Sequence, residues 1–343
     1  MNSDRQAPRG IDTSVAHSAR VYDWWLGGKD NFAADRELGQ NIVDLVPMTP
    51  ASARANRAFL HRAAGMVAAT GVHQFLDLGA GLPTADNTHS VVQRIDPDNR
   101  TVYVDYDPLV IAHAQALLAG YGPTTVVQAD IRDPQTILTH PEVTEVIDFT
   151  RPVCVLAVAV LHFFTDEEDP YEVVAQLREA MAPGSYLVLS HITGDGASQA
   201  ETDEVIAIMR KGMADPPALR GHAEVLRFFD GFELLDPGVV PVHLWRPEGA
   251  TRNSRSGASP ATRTNRSGCT RGSGAHPTEL TSGQRRAKKR PVADLCVPDD
   301  QPHGGGSARA PATHAQPQPG PHASQRRSQW RCRRPPLHQS EEP

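Results

Sequence analysis

The stretch FLDLGAGLPT, residues 75–84, decides the fold of this chain. The apolar run at 72–78 predicts a short strand, and Gly79 and Gly81 follow where such a strand would turn into a helix. Glycine there lets the backbone bend tightly and approach a ligand closely. The N-terminus of the next helix favours an anionic group such as a carboxylate. A GxG turn is weak evidence by itself, because ordinary tight turns contain the same residues.

Strand and helix patterns alternate around this turn. Residues 20–70 are helical in pattern, with helices expected at 36–45 and 52–69. Further strands are predicted at 101–106, 124–129, 153–160, 186–192, 232–235 and 242–245, and further helices are predicted to begin near 86, 107 and 169. The run at 153–160 shows no polar alternation, which is typical of a central strand of a parallel sheet. We therefore predict an α/β, doubly wound domain with a mostly parallel sheet under a helical N-terminal cover.

Composition and charge both change near residue 248. All nine Phe and all six Tyr precede Trp245, and residues 1–248 carry 18 Lys and Arg against 34 Asp and Glu, a net charge of −16. Residues 249–343 carry a net charge of +10 and few large apolar side chains, so they cannot bury enough surface to offset their ordering entropy. The predicted organisation is a flexible N-terminus at 1–19, a helical cover or lid at 20–70, a core at 71–248 and a disordered basic tail at 249–343. The acidic core argues against a specific nucleic-acid partner.

Neither a metal centre nor a membrane segment is expected. Cys154 lies in an apolar run and is interpreted as a small buried hydrophobe, and the other three Cys lack the spacing of zinc ligands. The acidic run at 166–169 is interpreted as a solvated loop and helix cap rather than a metal site. The N-terminus is polar, and no stretch approaches the ~20 apolar residues that a membrane helix needs. The expected location is the cytoplasm.

Two acidic residues end the strands that follow the glycine turn. Asp105 ends the second predicted strand and can accept hydrogen bonds from both ribose hydroxyls of a nucleoside. Asp130 ends the third, where its carboxylate can meet an adenine amino group or instead cap the turn at 132–134. Asp107 is interpreted as a helix N-cap, whereas Tyr106 either stacks beside the base or is a half-buried strand aromatic. Because ligands bind at the carboxyl ends of parallel strands, we expect the glycine turn and these acids to converge on one sheet edge.

Several motifs resemble a known family. One set looks like the successive motifs of class I S-adenosylmethionine-dependent methyltransferases. It consists of DLGAG (77–81), Asp105, AD (129–130) and VLH (160–162). The segment ARVYDWWLGGKDNF (19–32) resembles the opening signature of a bacterial subfamily known as S-adenosyl methyltransferases, and residues 228–247 match its C-terminal part. The resemblance implies a Rossmann-like methyltransferase fold, S-adenosyl-L-methionine as cofactor and a methyl acceptor that we expect to be a small molecule. The cofactor-binding residues expected from the resemblance and the strand-end positions are Asp77, Gly79, Gly81, Asp105, Tyr106, Asp130, Ile131 and Asn31.

The catalytic candidates are His162 and Tyr22, with His191 also expected near the reacting methyl group. Methyl transfer from a sulfonium is an in-line displacement, which needs a base only if the acceptor must lose a proton. His162 follows the fourth predicted strand, and a histidine that merely caps the strand is an equally good interpretation. Residues 20–32 are interpreted as a lid in which Tyr22, Lys29 or Asn31 touches the cofactor, the alternative being an ordinary loop between helices.

Two departures from the family pattern are visible. Residues 82–84 are Leu-Pro-Thr where a third glycine is usual, so the loop is not shaped like a dinucleotide site. The family continues after the Trp-Arg-Pro segment at 245–247 with a short closing strand, which is expected to be absent here because an Arg-, Gly-, Ser- and Pro-rich tail begins. Such a tail suggests a frameshift product or an unselected extension. Loss of a closing strand would expose an edge of the sheet.

Two other functions stay open at this point. A non-catalytic S-adenosylmethionine-binding regulator or sensor would account for the lack of an assured catalytic base. A nicotinamide-dependent oxidoreductase would also place a GxG turn after a strand, although Asp77, the Leu-Pro-Thr loop and the single nucleotide-type half argue against it. The acceptor atom and the oligomeric state cannot be read from the sequence.

Overall fold

Three helices precede the sheet in the computed structural model, which describes residues 12–84, 86–118, 122–213 and 215–247 and the backbone of 290–296. They are α1 (Ser18–Trp25), α2 (Ala33–Leu45) and α3 (Thr49–Ala68). The helices predicted at 36–45 and 52–69 are confirmed, each beginning three residues earlier than expected. Asp35 explains the early start of α2, because its carboxylate accepts a hydrogen bond from Phe32 N at 2.8 Å.

One sheet of parallel strands forms the centre of the molecule. Its strands are β1 (Gln74–Leu78), β2 (Arg100–Asp105), β3 (Thr124–Gln128), β4 (Cys154–Val158), β5 (Tyr186–Ile192) and β6 (Arg290–Cys296). Their order across the sheet is β3-β2-β1-β4-β5-β6, with every pair parallel. The chain moves outward from β1 to β3 and then crosses to β4 on the other side of β1. The predicted doubly wound α/β class is confirmed, and β1 and β4 flank the switch point where such sheets bind ligands.

Seven more helices connect or follow these strands. They are α4 (Thr88–Gln93), α5 (Pro108–Leu118), α6 (Pro134–Thr139), α7 (Pro141–Val146), α8 (Pro170–Ala180), α9 (Gln199–Gly212) and α10 (His222–Arg227). The predicted caps are confirmed: Asp107 accepts from Leu109 N at 2.8 Å before α5, and Asp169 accepts from Glu172 N at 3.2 Å before α8. Helices α6, α7, α9 and α10 lie outside the sequence-based predictions. Three of them, α6, α7 and α10, are only six residues long, and α9 has Met209 as its single buried residue, so none carries a strong apolar period.

The core lies on both faces of the sheet. Leu76, Val155 and Ala157 belong to the cluster on one face, whereas Phe75 and Leu156 belong to the cluster that packs against α3 on the other. Alternate residues of β4 are thus buried on opposite faces, which accounts for the continuous apolar run at 153–160. Within the described helices, none is long and apolar enough to cross a membrane.

The segment after α10 differs from its prediction. Strands were expected at 232–235 and 242–245, but these residues form turns and irregular backbone, so the two predicted strands are wrong. Proline residues interrupt the segment, and Trp245 packs edge-on against Phe59 of α3 at 5.4 Å rather than joining the sheet. Arg62 holds this packing by donating to the carbonyl oxygens of Trp245 and Val242 at 3.1 and 2.6 Å.

A strand also forms inside the predicted tail. The backbone of β6 pairs with β5 along its whole length, from Tyr186 opposite Arg290 to Ile192 opposite Cys296. For these seven residues the expectation of a disordered tail is wrong. The absence of a short closing strand directly after residue 247 stays a prediction, because it falls outside the described residues. The pairing covers the edge of β5 that would otherwise be exposed. Residues 249–289 and 297–343 lie outside the described residues, as do residues 1–11.

Acidic residues before α8 pair with two distant arginines and with the backbone of their own loop. Asp166 accepts from Arg220 at 2.7 Å, and Glu168 accepts from Arg132 at 2.5 Å and from Thr165 N at 2.7 Å. In the part of the chain that the structure describes, no three His, Cys, Asp or Glu form a group that could hold a metal ion. Cys154 is a buried free thiol on β4, in agreement with its interpretation as a small core residue.

Candidate cofactor and acceptor site

A cavity with a volume of about 330 Å³ opens at the carboxyl ends of the strands. Each strand from β1 to β5 contributes to its lining at or just beyond its end, through Gly79, Asp105, Asp130, Val158 and Ile192. The predicted convergence of the glycine turn and the acids on one sheet edge is therefore found in the structure. Parts of α1, α2, α3 and α9 form the remaining walls.

The glycine turn presents bare backbone to this cavity. Gly79 and Gly81 have φ angles of +67° and +65°, which L side chains rarely adopt. A Cβ atom on Gly79 would lie 2.3 Å from Cγ2 of Val160, so β4 approaches the turn too closely for any side chain. A Cβ atom on Gly81 would meet nothing within 4 Å, because it would project into open space. Such a cradle fits a ligand that packs directly on main chain.

Asp105 connects the glycine turn to the end of β2. Its Oδ2 accepts a hydrogen bond from Gly81 N at 2.9 Å, and its Oδ1 accepts from Asp107 N at 3.0 Å. Burial raises the pKa of the carboxyl group, while these two backbone hydrogen bonds oppose the rise. Each oxygen keeps a lone pair for a further donor. Ribose hydroxyls are donors of the kind this carboxylate can accept.

Asp77 lines the cavity but is almost fully buried. Its Oδ2 accepts from Thr88 Oγ1 at 2.6 Å, and full burial raises its pKa to about 6. Arg57 of α3 opposes this shift electrostatically, and it also lines the cavity. Its guanidinium donates to Thr84 Oγ1 and, at 3.2 Å, to the carbonyl oxygen of Asp86. Arg57 thus places a positive charge beside the glycine turn. Sequence reasoning missed it, because one Arg in a helical pattern looks like a surface residue.

Asp130, Ile131 and Tyr106 follow the ends of β3 and β2. Asp130 Oδ1 accepts from Arg132 N at 2.9 Å, which is the local turn contact that the sequence also allowed. The Tyr106 hydroxyl donates to Asp215 Oδ2 at 3.0 Å and lies 3.0 Å from His17 Nε2. Burial and the Asp215 carboxylate raise the pKa of Tyr106. All three predicted residues line the cavity.

His17 is a lining residue that the sequence analysis placed in a flexible N-terminus. The described part of that segment folds across the cavity instead, with Ala16 bridging Met213 as a parallel β-pair. Arg20 is the physical reason, because its buried guanidinium donates to the carbonyl oxygens of Asp12 and Val15 at 3.3 and 2.6 Å. His17 Nδ1 also lies 3.2 Å from Asp107 Oδ2. This polar stretch is held by its hydrogen bonds to the buried Arg20 and has no apolar periodicity. Sequence patterns therefore did not predict its fold.

His162 lies in a 3₁₀ turn, Leu161–Phe163, directly after β4. It lines the cavity, yet its side chain is only 5 % exposed, and its Nδ1 has no hydrogen-bond partner among the described residues. Burial lowers its pKa well below the usual range, with His191 and Arg220 adding to the effect. At neutral pH the ring is therefore an uncharged imidazole. A buried imidazole nitrogen without a partner is uncommon unless a ligand supplies one.

Arg220 and His191 lie behind His162. The rings of His162 and His191 meet edge-to-face at 5.6 Å, and Arg220 lies 3.2 Å from His191 Nε2. His191 Nδ1 lies 2.6 Å from the carbonyl oxygen of Ile192, which assigns the proton to Nδ1 and leaves Nε2 as the acceptor. Burial lowers the pKa of His191 to about 4. Both imidazoles are thus held neutral beside a buried cation.

Two residues of the predicted lid have structural partners. The hydroxyl of Tyr22 lines the cavity but donates to Ala53 O at 3.0 Å and lies 3.0 Å from Asn56 Nδ2. The Asn31 amide donates to Asp23 Oδ2 at 2.8 Å and to Gly28 O at 3.2 Å, and Asn31 is not part of the cavity lining. Its side chain ties the loop between α1 and α2 together, and the contact of Asn31 with the cofactor stays a prediction.

A glycine turn and buried acids at the switch point of a doubly wound sheet define a protein that binds a nucleotide-type cofactor. A family model described as S-adenosyl methyltransferase matches residues 4–271. The chain therefore belongs to the S-adenosyl methyltransferase family and is an S-adenosylmethionine-dependent methyltransferase. The alternative of a nicotinamide-dependent oxidoreductase is wrong.

Two solved structures extend this finding. A DUF574 family protein from Streptomyces avermitilis is 43% identical, with a TM-score of 0.67, over 71% of this chain and 94% of its own length. A protein from Thermobifida fusca, described as a candidate methyltransferase, is 45% identical, with a TM-score of 0.66, over 70% of this chain and 90% of its own. No curated protein matches the chain.

Proposed function

We propose that the enzyme methylates a small molecule, which enters the cavity beside the cofactor. The observation that carries this proposal is the depth of the polar groups. His162 and Asp77 line the cavity but are only 5 % exposed. A macromolecular acceptor would have to insert a side chain or base past the contacts of His17, Tyr106 and Asp215 at the cavity edge.

The residues at the strand ends fit the two halves of the cofactor. The bare backbone at Gly79 and Gly81 and the Asp105 carboxylate suit the ribose and its neighbours, because they combine close approach with hydrogen-bond acceptors. Asp130 and Tyr106 lie farther out, where we place the adenine. Asp77 is positioned to attract the amino group at the other end.

Arg57 completes this arrangement as the candidate partner of the cofactor's carboxylate. Its guanidinium contacts Thr84 and the Asp86 carbonyl beside the glycine turn and also lines the cavity. Arginine is the side chain best suited to carboxylates, since its N–H groups form a planar fork. The methionine half of the cofactor would thus lie between the Asp77 carboxylate and the Arg57 guanidinium, which carry opposite charges.

The cofactor, when bound, supplies an electrophilic methyl group on a sulfonium. The protein has to hold the acceptor in line with that group and keep water away. Positioning of this kind can supply roughly 7–11 kcal/mol of barrier reduction. His162 is the group that can accept a proton from the acceptor, because its ring is neutral and the residue lines the cavity. Tyr22 shapes the wall, since its hydroxyl is engaged with Ala53 and Asn56.

A labelling experiment tests the size of the acceptor. The full chain is incubated with S-adenosylmethionine carrying a radioactive methyl group and with cell extract divided by ultrafiltration into small-molecule and macromolecular fractions. We expect the label to enter molecules of the filtrate. A chain denatured by heat is the control for chemical methylation. Label found only in protein or nucleic acid would overturn the proposal.

A further inference from the structure

Away from the strand ends, the cavity has a wall made by helices α1, α2 and α9. We call this wall the apolar chamber, and its residues are Trp25, Ile42, Val46, Val205, Met209 and Met213. Most of them also form one hydrophobic cluster between α2 and α9. The chamber therefore lies outside the sheet edge that fits the cofactor, and it offers a ligand chiefly aliphatic, aromatic and thioether surface.

Three polar groups around the chamber are engaged with the protein. Trp25 Nε1 donates to the carbonyl oxygen of Gly39 at 3.2 Å. Asn56 Oδ1 accepts from Ser190 Oγ at 2.6 Å, which links α3 to β5. The Glu201 carboxylate lines the cavity but accepts from Ser198 N and Ser198 Oγ at 2.8 and 2.6 Å as the cap of α9. An anionic acceptor would lose its hydration against this apolar wall, which is costly.

His162 is the exception among these groups. Its Nδ1 has no partner within the described ranges, and the buried Arg220 behind His191 disfavours a positive charge on its ring. A neutral imidazole of low basicity can accept a hydrogen bond from a hydroxyl. It can take the proton only if that proton is already acidic, because proton transfer is efficient when the two pKa values are close. A phenol, with a pKa near that of the Tyr side chain at about 10, meets this requirement far better than an aliphatic alcohol.

We propose that the methyl acceptor is a neutral, mostly apolar molecule with a phenol-type hydroxyl, held in the apolar chamber with that hydroxyl at His162. This inference rests on the proposed function. In the transfer, the acceptor oxygen forms a bond to the methyl carbon while the bond from sulfur to that carbon breaks. The hydroxyl proton passes to the imidazole of His162. The products are an aryl methyl ether, a neutral thioether and a proton that the imidazole releases to water.

Binding of model compounds to the full chain tests this assignment. Calorimetry is performed with 2-naphthol, with naphthalene and with 6-hydroxynaphthalene-2-sulfonate, each in the presence of saturating S-adenosylhomocysteine. The first has the proposed features, the second lacks the hydroxyl and the third adds a charge. We expect 2-naphthol to bind about threefold to tenfold more tightly than naphthalene, which is the effect of one net hydrogen bond, and at least about tenfold more tightly than the sulfonate, whose charge would lose its hydration.

Two substitutions locate the binding. Val205→Glu introduces a carboxylate into the chamber and should abolish 2-naphthol binding, whereas Val205→Leu should retain it within about threefold, a difference below 1 kcal/mol. Both variants should bind S-adenosylhomocysteine as the unmodified chain does. His162→Gln should lower the affinity for 2-naphthol but leave that for naphthalene unchanged.

The outcomes separate this inference from the proposed function. Binding of S-adenosylhomocysteine without binding of 2-naphthol, or equal affinity for the sulfonate, overturns the acceptor assignment alone. Equal loss of naphthalene and 2-naphthol binding in His162→Gln overturns the role of His162. Failure of S-adenosylhomocysteine itself to bind the folded chain would instead refute the cofactor arrangement on which the proposed function depends.

Discussion

Alanine substitutions at Gly79 and Gly81 should mainly affect different properties, although the two glycines share a backbone conformation. We expect the larger loss of stability at Gly79 and the loss of ligand affinity at Gly81. Both have φ near +65°, so an alanine at either position costs about 1–2 kcal/mol of folding free energy. In Gly79→Ala, the added Cβ would also lie 2.3 Å from Val160 Cγ2 and 2.7 Å from Val160 Cβ. Overpacking of this kind adds about 1–3 kcal/mol, because β4 must move away from the turn.

The expected total for Gly79→Ala is therefore about 2–5 kcal/mol, against about 1–2 kcal/mol for Gly81→Ala. At roughly 2–4 °C per kcal/mol, thermal melting should fall by about 4–20 °C in the first variant and about 2–8 °C in the second. Gly81→Ala instead adds a methyl group, with no atom within 4 Å of it, to a residue that lines the cavity. Its main effect should be a loss of affinity for S-adenosylhomocysteine of about tenfold or more, since a close contact of more than 1.4 kcal/mol is lost.

Differential scanning calorimetry and ligand titration on the same preparations measure both quantities. Gly71→Ala is the matched control, because Gly71 has a φ of +87° with nothing near its Cβ and lies at the other end of β1. It should lower the melting temperature slightly and leave ligand affinity unchanged. The reasoning is refuted if Gly81→Ala binds S-adenosylhomocysteine normally, or if Gly79→Ala is no less stable than the Gly71→Ala control.

Two further substitutions test the charges of the site. Asp77 has a folded pKa raised to about 6 from 3.8, so the folded state binds its proton more tightly and this group makes stability fall by about 3 kcal/mol between pH 4 and pH 7. In urea titrations, Asp77→Asn should remove this fall in the free energy of unfolding. The control Asp98→Asn, at an exposed position, should keep it. Persistence of the fall in Asp77→Asn would contradict the buried charge. Arg57→Gln should lower the affinity for S-adenosylhomocysteine by about tenfold to a hundredfold. The affinity for 5′-methylthioadenosine, which has no carboxylate, should stay within about twofold. Equal losses for both ligands would show that Arg57 acts only through the fold.

Elements whose identity depends on local pattern could be predicted from the sequence. β5 was expected at the residues where it occurs, and β4 was recognised as central because its alternate side chains fill two different core clusters. The caps at Asp107 and Asp169 depend on neighbours two or three residues away, which are visible in the sequence. The glycine turn is equally local.

Features that depend on distant partners could not be predicted. His17 lies at the cavity because Arg20 donates hydrogen bonds to the carbonyl oxygens of the segment before His17. Arg57 is a site residue because the packing of α3 places it beside the glycine turn. Trp245 lies in a pattern typical of a strand but is buried by Phe59, which lies nearly two hundred residues earlier. β6 acquires its regular backbone from the edge of β5, so its own composition carries little signal.

The two halves of the cavity are built from different parts of the chain, and this has a consequence for specificity. The half that we propose for the cofactor consists of backbone turns and acids at the ends of β1, β2 and β3, where a change of side chain alters hydrogen bonds that the sheet holds in place. The apolar chamber is formed by α1, α2 and α9, whose contacts with one another are mainly apolar and include the adaptable Met209. Substitutions of similar volume in such a cluster usually cost less than about 1.5 kcal/mol. The chamber can therefore change shape between relatives without disturbing the cofactor, and acceptor specificity should reside in α9 and its partners rather than in the sheet.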